Sequence, residues 1–412
     1  MILRIVLSVA IVAALACVPL LLPDAYVNAA IQMLIAALFA TAFGYLCGQG
    51  GMLSFGHSAY FGLGAFAAIH AMNAVGGEGL LPTPLIPVFG AAAGLAFGLL
   101  AGWFATKRSG VYFSMITLAI AELVHALAPH LKETFGGEGG VSTFRMPAWG
   151  ISFGASGDVY WLALAWTVLC VGLLYLLTRT PFGRMTVGLR ENTHRMKFIG
   201  YEVHRPSAMV FAISGMVAGV AGALQSINIE AANYVVFETS VSSAVVLNSF
   251  IGGVRVFFGP AIGGALMSFF GYVTADMTRS WLLYQGLIFV LVMMFLPRGV
   301  VGEIVFRLQG GEEERRALRP GTLAVSAVGV LCGAAGVVLL VEIAQRLFAE
   351  AYPGAAGGWP PVTVGGVDWS PLSPVTWLLP ALLIAVSVAI FLRGRWRDRA
   401  AGAAARSEEA TR

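Results

Sequence analysis

Apolar runs of roughly 17–25 residues, the length that crosses the hydrocarbon core of a bilayer as a helix, recur along this chain from end to end. They fall at about 3–22, 28–46, 54–73, 85–104, 110–130, 158–178, 207–227, 240–258, 259–277, 281–297, 321–343 and 374–392. Apolar residues make up 58% of the chain and charged residues 11%, far from the roughly one-quarter charged share of soluble domains. The pattern predicts an all-α polytopic membrane protein with about twelve crossings.

The first run follows Arg4 and contains "ALAC" ending at Cys17, a loose likeness to a lipoprotein cleavage site. Ala14 stands where Leu is usual and the run continues to Leu22, so the expectation is an uncleaved first helix. Cys17, Cys47, Cys170 and Cys332 lie singly in apolar segments without metal or redox spacing, and read as packing residues.

With the N-terminus inside and twelve crossings, 21 of the 25 Lys and Arg fall on the cytoplasmic side, and only Lys132, Arg145, Arg279 and Arg346 lie outside. Basic residues are retained on the cytoplasmic side during insertion, so this asymmetry places both termini there. The net charge of +4 then reflects topology and contact with membrane lipid headgroups, and no aromatic-interleaved basic patch points to nucleic acid. Residues 1–309 read as a core, 310–320 ("GGEEERRALRP") as a cytoplasmic linker, 321–393 as an appended helix pair with an external loop, and 394–412 as a disordered tail.

Two glycine-rich stretches, "GQGGMLSFGHSAYFGLGAF" (48–66) and "GGVRVFFGPAIGGALMSFF" (252–270), each place a Gly pair before an "FG" and a small-residue helix. Such residues serve close helix packing; read more sharply, the stretches form a weak internal repeat of interrupted helices flanking a pathway. On the 110–128 segment a helical wheel gathers Ser114, Thr117, Ala121, Glu122 and His125 within an arc of about 140°. That face reads either as a cavity wall or as an internally satisfied Glu122–His125 pair. His57 and Ser58 follow the Gly-rich turn, where a helix N-terminus either receives an anionic group or is simply capped by them. Asn248 is a further intramembrane polar candidate. No catalytic constellation and no metal cluster is visible. The lysines Lys107, Lys132 and Lys197 precede neither Ser nor Thr, so a Walker A motif is excluded and any ATP energy comes from another chain.

A hydrophilic island, "PFGRMTVGLRENTHRMKFIGYEVHRP" (181–206), interrupts the apolar pattern. Gly183 and Gly188 are expected to loosen its start. Residues 189–199 then form a short helix with Leu189, Met196 and Ile199 near one side, ended by a left-handed Gly200. Such a helix suits docking into a groove on a soluble partner, or serves as a topology anchor.

The stretches "LSFGHSAYFGLGAF" (53–66), "GVYFSMITLAIAEL" (110–123), "FGGEGG" (135–140), "GLRENTHRMKFIGY" (188–201), "ISGMVAGVAGAL" (213–224), "FGPAIGGAL" (258–266) and "FLPRGVVG" (295–302) carry a more specific signal. In them the chain resembles the permease subunits of ATP-binding-cassette (ABC) importers for branched-chain amino acids, the LIV (LivM-type) family. The resemblance implies a core of about ten helices, to which the last two are added. It also implies a coupling helix in the 179–206 loop, where Arg190, Glu191 and Gly200 match the family's pattern as ATPase-coupling residues. Arg195 to Phe198 depart from the Ala-rich sequence of many relatives, and Arg195 is added to the coupling set as the residue expected to bear on partner matching. For such a transporter the pathway candidates are the intramembrane polar residues singled out above, His57, Ser58, Ser114, Thr117, Glu122, His125 and Asn248. Expected partners are a second, homologous permease chain, two ABC ATPase subunits and a periplasmic binding protein in an inner-membrane importer. No cofactor is expected on this chain, since ATP is used by the partners. The urea and short-amide branch of the same family shares most of these motifs. From a different class, a proton-coupled transporter would use Glu122, His125 and His57 as a relay. A membrane-embedded enzyme would need a polar cluster on one face.

Overall fold

A computed structural model describes residues 10, 12–76, 81–145, 147, 153–278, 280–309, 320–348, 362–364, 367–369, 374 and 376–390. Residues 310–319 of the expected 310–320 linker, the tail at 394–412, most of the external loop at 351–374 and the start of the first apolar run lie outside the described residues.

The described chain is helical almost throughout. Helix α1 (Asp24–Gly44) continues as one wider π-helical turn, Tyr45–Gln49, and α2 (His57–Ala71) as another, Met72–Gly76. They are followed by α3 (Pro87–Ala105), α4 (Val111–Leu127) and α5 (Ser156–Arg179). The island holds α6 (Pro181–Glu191) and α7 (Thr193–Phe198). Beyond it lie α8 (His204–Ile229), α9 (Thr239–Gly252), α10 (Gly259–Met277), α11 (Trp281–Phe295) and α12 (Val300–Gln309). Seven helical stretches among the described residues are long and apolar enough to cross a membrane: Asp24–Gln49, Thr83–Ala105, Val111–His130, Ser156–Arg179, His204–Ile229, Trp281–Gln309 and Val328–Gln345. The chain is a multi-pass, all-α membrane protein.

Two units can be distinguished, Met1–Val305 and Phe306–Arg412. In the second, α13 (Pro320–Phe348) packs on α14 (Thr376–Ile390), where a Cβ on Gly333 would stand 2.6 Å from Ser387 Oγ. A short antiparallel pair, Val362–Val364 with Val367–Trp369, lies between those helices in sequence.

The centre of the first unit is built from α1 and α8, whose apolar windows are 72% and 83% buried, against 28% for α4 and 11% for the 281–309 stretch. Helices apolar on every side belong in such a centre. Around α8, glycines replace side chains as the packing surface. A Cβ on Gly94 would fall 2.2 Å from the Gly215 carbonyl oxygen, one on Gly219 2.2 Å from that of Gly90, and one on Gly64 2.2 Å from that of Gly219. Helices α2, α3 and α8 therefore touch backbone to backbone, the arrangement that maximises dispersion contact where no hydrophobic effect drives association.

The run at 240–258 departs from its expected form. Helix α9 stops at Gly252 after 14 residues, about 21 Å at 1.5 Å per residue, and Gly253 (φ +107°) begins a turn that ends where α10 starts. The apolar Val254, Val256, Phe257 and Phe258 conceal this turn in a hydropathy reading. Helices α9 and α10 form a tight hairpin, with a Cβ on Gly263 reaching 2.2 Å from the Asn248 carbonyl oxygen.

Candidate translocation and coupling elements

Helix α1 ends at Gln49, and α2 does not begin until His57, three residues into the apolar run at 54–73. The intervening chain would expose backbone polar groups to lipid, which is tolerated only where protein satisfies them. Helix α4 supplies the partners. Ser114 Oγ donates to the Leu53 carbonyl (2.5 Å) and the Phe55 amide donates to Thr117 Oγ1 (3.3 Å), while within the break the Gly56 amide donates to Ser54 Oγ (3.2 Å). Gly56 itself sits so close that a Cβ would lie 2.2 Å from the Thr117 carbonyl oxygen. Ser114 and Thr117 are thus buried and bind the break.

The start of α2 is closed in the same way. His57 Nε2 lies 2.9 Å from Ser214 Oγ on α8, which donates to the Ala42 carbonyl at 2.7 Å. Phe43 meets the imidazole edge-on with ring centroids 5.3 Å apart. The Ser58 amide donates to Ser242 Oγ (2.8 Å), which in turn bonds Ser58 Oγ (2.9 Å). The helix N-terminus that the sequence offers to an anion is occupied in this conformation by Ser242 of α9. Ser214 and Ser242 escaped sequence reading because each sits in a run of small residues that reads as packing.

The expected single polar face of α4 divides. Ala121 follows Ser114 and Thr117 inward, whereas Glu122, one residue and about 100° further round, turns toward the start of α9. There its carboxylate accepts from Thr239 Oγ1 and lies 3.8 Å from His125 Nδ1; the side chains of His125 and Glu122 are 29% and 49% exposed. The His125 ring stacks on Tyr234, centroids 6.0 Å apart. At the same end, the strand pair β1 (Val141–Ser142) and β2 (Ala231–Ala232) and an Arg145–Glu230 ion pair at 2.5 Å fasten the 131–145 loop to the end of α8. Asn248 accepts from Gln285 Nε2 at 2.9 Å, tying α9 to α11.

The island is two helices and not one. Asn192 adopts an extended conformation and its side chain accepts from the Arg195 amide, so it ends α6 and caps α7. Gly183 and Gly188 do not loosen the start. Both lie inside α6, where a Cβ would reach 2.3 Å from the Leu177 carbonyl oxygen and 2.9 Å from the Met196 sulfur. They let the loop fold back on itself. Leu189 and Met196 are buried, but Ile199 leaves that face and stands 62% exposed beside Phe198 (90%) and Tyr201 (51%). Gly200 between them has φ +87°. Arg195 and Lys197 flank this apolar tip on α7, whereas Arg190 turns inward and donates to the Gly48 carbonyl; Glu191 stays 3.7 Å from its guanidinium.

The profile of the family described as "Branched-chain amino acid transport system / permease component" matches residues 25–297. The Escherichia coli high-affinity branched-chain amino acid transport system permease protein LivM is 25% identical over 307 residues, covering 69% of this chain and 71% of that protein. The probable branched-chain amino acid transport permease protein LivH of Methanocaldococcus jannaschii is 26% identical over 265 residues, covering 60% of this chain and 82% of that protein. The Escherichia coli xylose transport system permease protein XylH is 28% identical over 107 residues, a quarter of this chain. No solved structure matches the chain. With the family profile covering the whole broken-helix core and the island, this chain belongs to the family of permease components of branched-chain amino acid transport systems.

Proposed function

We propose that this chain is the membrane subunit of an ATP-driven ABC importer that carries branched-chain or other apolar amino acids across the inner membrane. It would work with a second permease chain, two ATPase subunits and a periplasmic binding protein, both of its own termini lying in the cytoplasm. ATP is used by the partners, and no cofactor is assigned to this chain. The observation that carries the reading is the exposed Phe198–Ile199–Tyr201 tip on the basic island. Three large side chains left exposed at the end of a short capped helix fit insertion into a groove on a soluble partner. Arg195 and Lys197 beside them fit an acidic rim on that partner. The exposed Glu122 and the half-buried His125, toward the C-terminal end of α4, are the pathway groups of this proposal; a carboxylate there suits the ammonium of an amino acid. His57, Ser58, Ser114 and Thr117 are assigned to holding the break, and Asn248 to holding α9.

The test is uptake of radiolabelled leucine into cells producing the complete transporter. Uptake should persist under an uncoupler while ATP is held constant, and should stop when the partner ATPase is inactivated. Uptake lost to the uncoupler alone points to proton coupling, and competition by urea but not by isoleucine points to the amide branch. Either result overturns the proposal.

A further inference from the structure

The 45–57 segment and the island meet at Arg190. Arg190, the penultimate residue of α6, donates from Nη1 to the Gly48 carbonyl within the π-helical turn. Its stem fills the space a side chain on Gly51 would need: a Cβ there would lie 2.7 Å from Arg190 Cγ and 2.9 Å from its Cα. Gly51 also has φ +68°, a conformation that L side chains rarely adopt. The notch has no slack on its other walls. A Cβ on Gly48 would stand 2.1 Å from the Val254 carbonyl oxygen, and one on Gly50 3.1 Å from Val210 Cγ1. From Gly51 the chain reaches Leu53, whose carbonyl Ser114 holds, in two residues, at most about 7 Å of extended backbone.

We infer that Arg190 is the positioning residue through which the island moves the helix break. It grips Gly48 and Gly51, so a displacement of α6 and α7 is delivered to residues 51–56 and to His57 behind them. The link is mechanical because it is short and its glycine walls are in backbone contact; packed elements shift between discrete arrangements and do not deform continuously. This revises the docking role that the family resemblance implies for Arg190, and it rests on the coupling role proposed above for the island. The guanidinium suits the task. A rigid fork of donors can hold a carbonyl, while its three-carbon stem covers a glycine surface that no other residue at 51 would leave free.

The test has two arms. In the first, hydrogen exchange is followed on the purified full chain in lipid nanodiscs, without partners. Arg190→Met keeps the stem and removes the donors, and should speed exchange of the 50–56 amides about tenfold or more while 208–224 on α8 stay protected. Arg190→Lys, which keeps a donor of similar reach, should restore most of that protection. In the second arm, Arg190→Met in the assembled transporter should lower leucine uptake about tenfold while ATP hydrolysis stays within about twofold and the ATPase still co-purifies. Unchanged exchange at 50–56 in Arg190→Met overturns the inference. So does loss of the ATPase from the complex with unchanged exchange, which makes Arg190 a partner contact. If the wild-type transporter carries no leucine, the substrate proposal fails, and the exchange arm still decides the role of Arg190.

Discussion

Replacing Thr117 by valine removes one oxygen atom from a buried face and changes little else in shape. That oxygen accepts from the Phe55 amide at 3.3 Å and donates to the Ser114 carbonyl at 2.8 Å. The second bond is dispensable, because a carbonyl inside α4 keeps its helical partner. The first is not: Phe55 lies in the non-helical stretch between α1 and α2, and valine offers its amide a methyl group. A buried donor left without a partner costs about 1–3 kcal/mol. Coupling energies measured within membranes average about 0.6 and reach about 1.7 kcal/mol. The bond is long, so the expected loss is about 1–1.5 kcal/mol, roughly a five- to thirteenfold fall in the folded-to-unfolded ratio. Reversible unfolding of the full chain in mixed micelles measures it. Ser114→Ala, which strips the donor from the Leu53 carbonyl, should cost a comparable amount. The double variant should cost less than the sum, because the break is free to rearrange once either anchor is gone. A Thr117→Val protein within about 0.3 kcal/mol of wild type, or a strictly additive double variant, would refute the account of the break as a segment stitched to α4.

Gly94→Ala should lower the yield of folded chain severely, since its Cβ meets the Gly215 carbonyl at 2.2 Å, whereas Gly172→Ala, with nothing within 4 Å, should be neutral; detergent-resistant monomer on size exclusion reads both. Glu122→Gln should raise the KM of leucine uptake about tenfold with little effect on unfolding, as its half-exposed side chain holds up no core; an unchanged KM removes Glu122 from the pathway. Phe198→Ala with Tyr201→Ala should weaken capture of the partner ATPase by about tenfold or more without changing thermal stability, because truncating large exposed anchors affects only a docked state.

Hydropathy alone made the helical membrane architecture legible, because the bilayer fixes run length independently of tertiary detail. Where a run hides a turn, that logic fails: Val254 to Phe258 are nearly all apolar, yet Gly253 turns the chain there. The island was visible as charge, but its division at Asn192 rests on one side-chain cap among residues that all tolerate a helix. The polar residues of α4, read from the sequence as one face, part company in the structure, where Glu122 and His125 pair as the alternative reading had them. A helical wheel gives angles without neighbours, and it is the 53–56 segment that separates Ser114 and Thr117 from Glu122 and His125. Ser214 and Ser242 carried no sequence signal, because a hydroxyl that bonds a distant His57 or Ser58 looks the same as one that lets helices approach.

The shortness of α9 also has a bearing on biogenesis. As the chain leaves the ribosome, Thr239–Gly252 emerges before α10, yet it is only 14 residues long and carries Ser242, Asn248 and Ser249. It cannot by itself satisfy the length that commits a segment to lipid. Its Asn248 and Gly252 backbone contacts with Gly263 form only once α10 has been made. Its length and its backbone contacts thus tie the entry of α9 into the bilayer to that of α10. An insertion lengthening the 253–258 turn would strand α9 at the membrane surface, while leaving the helices synthesised before it already in place.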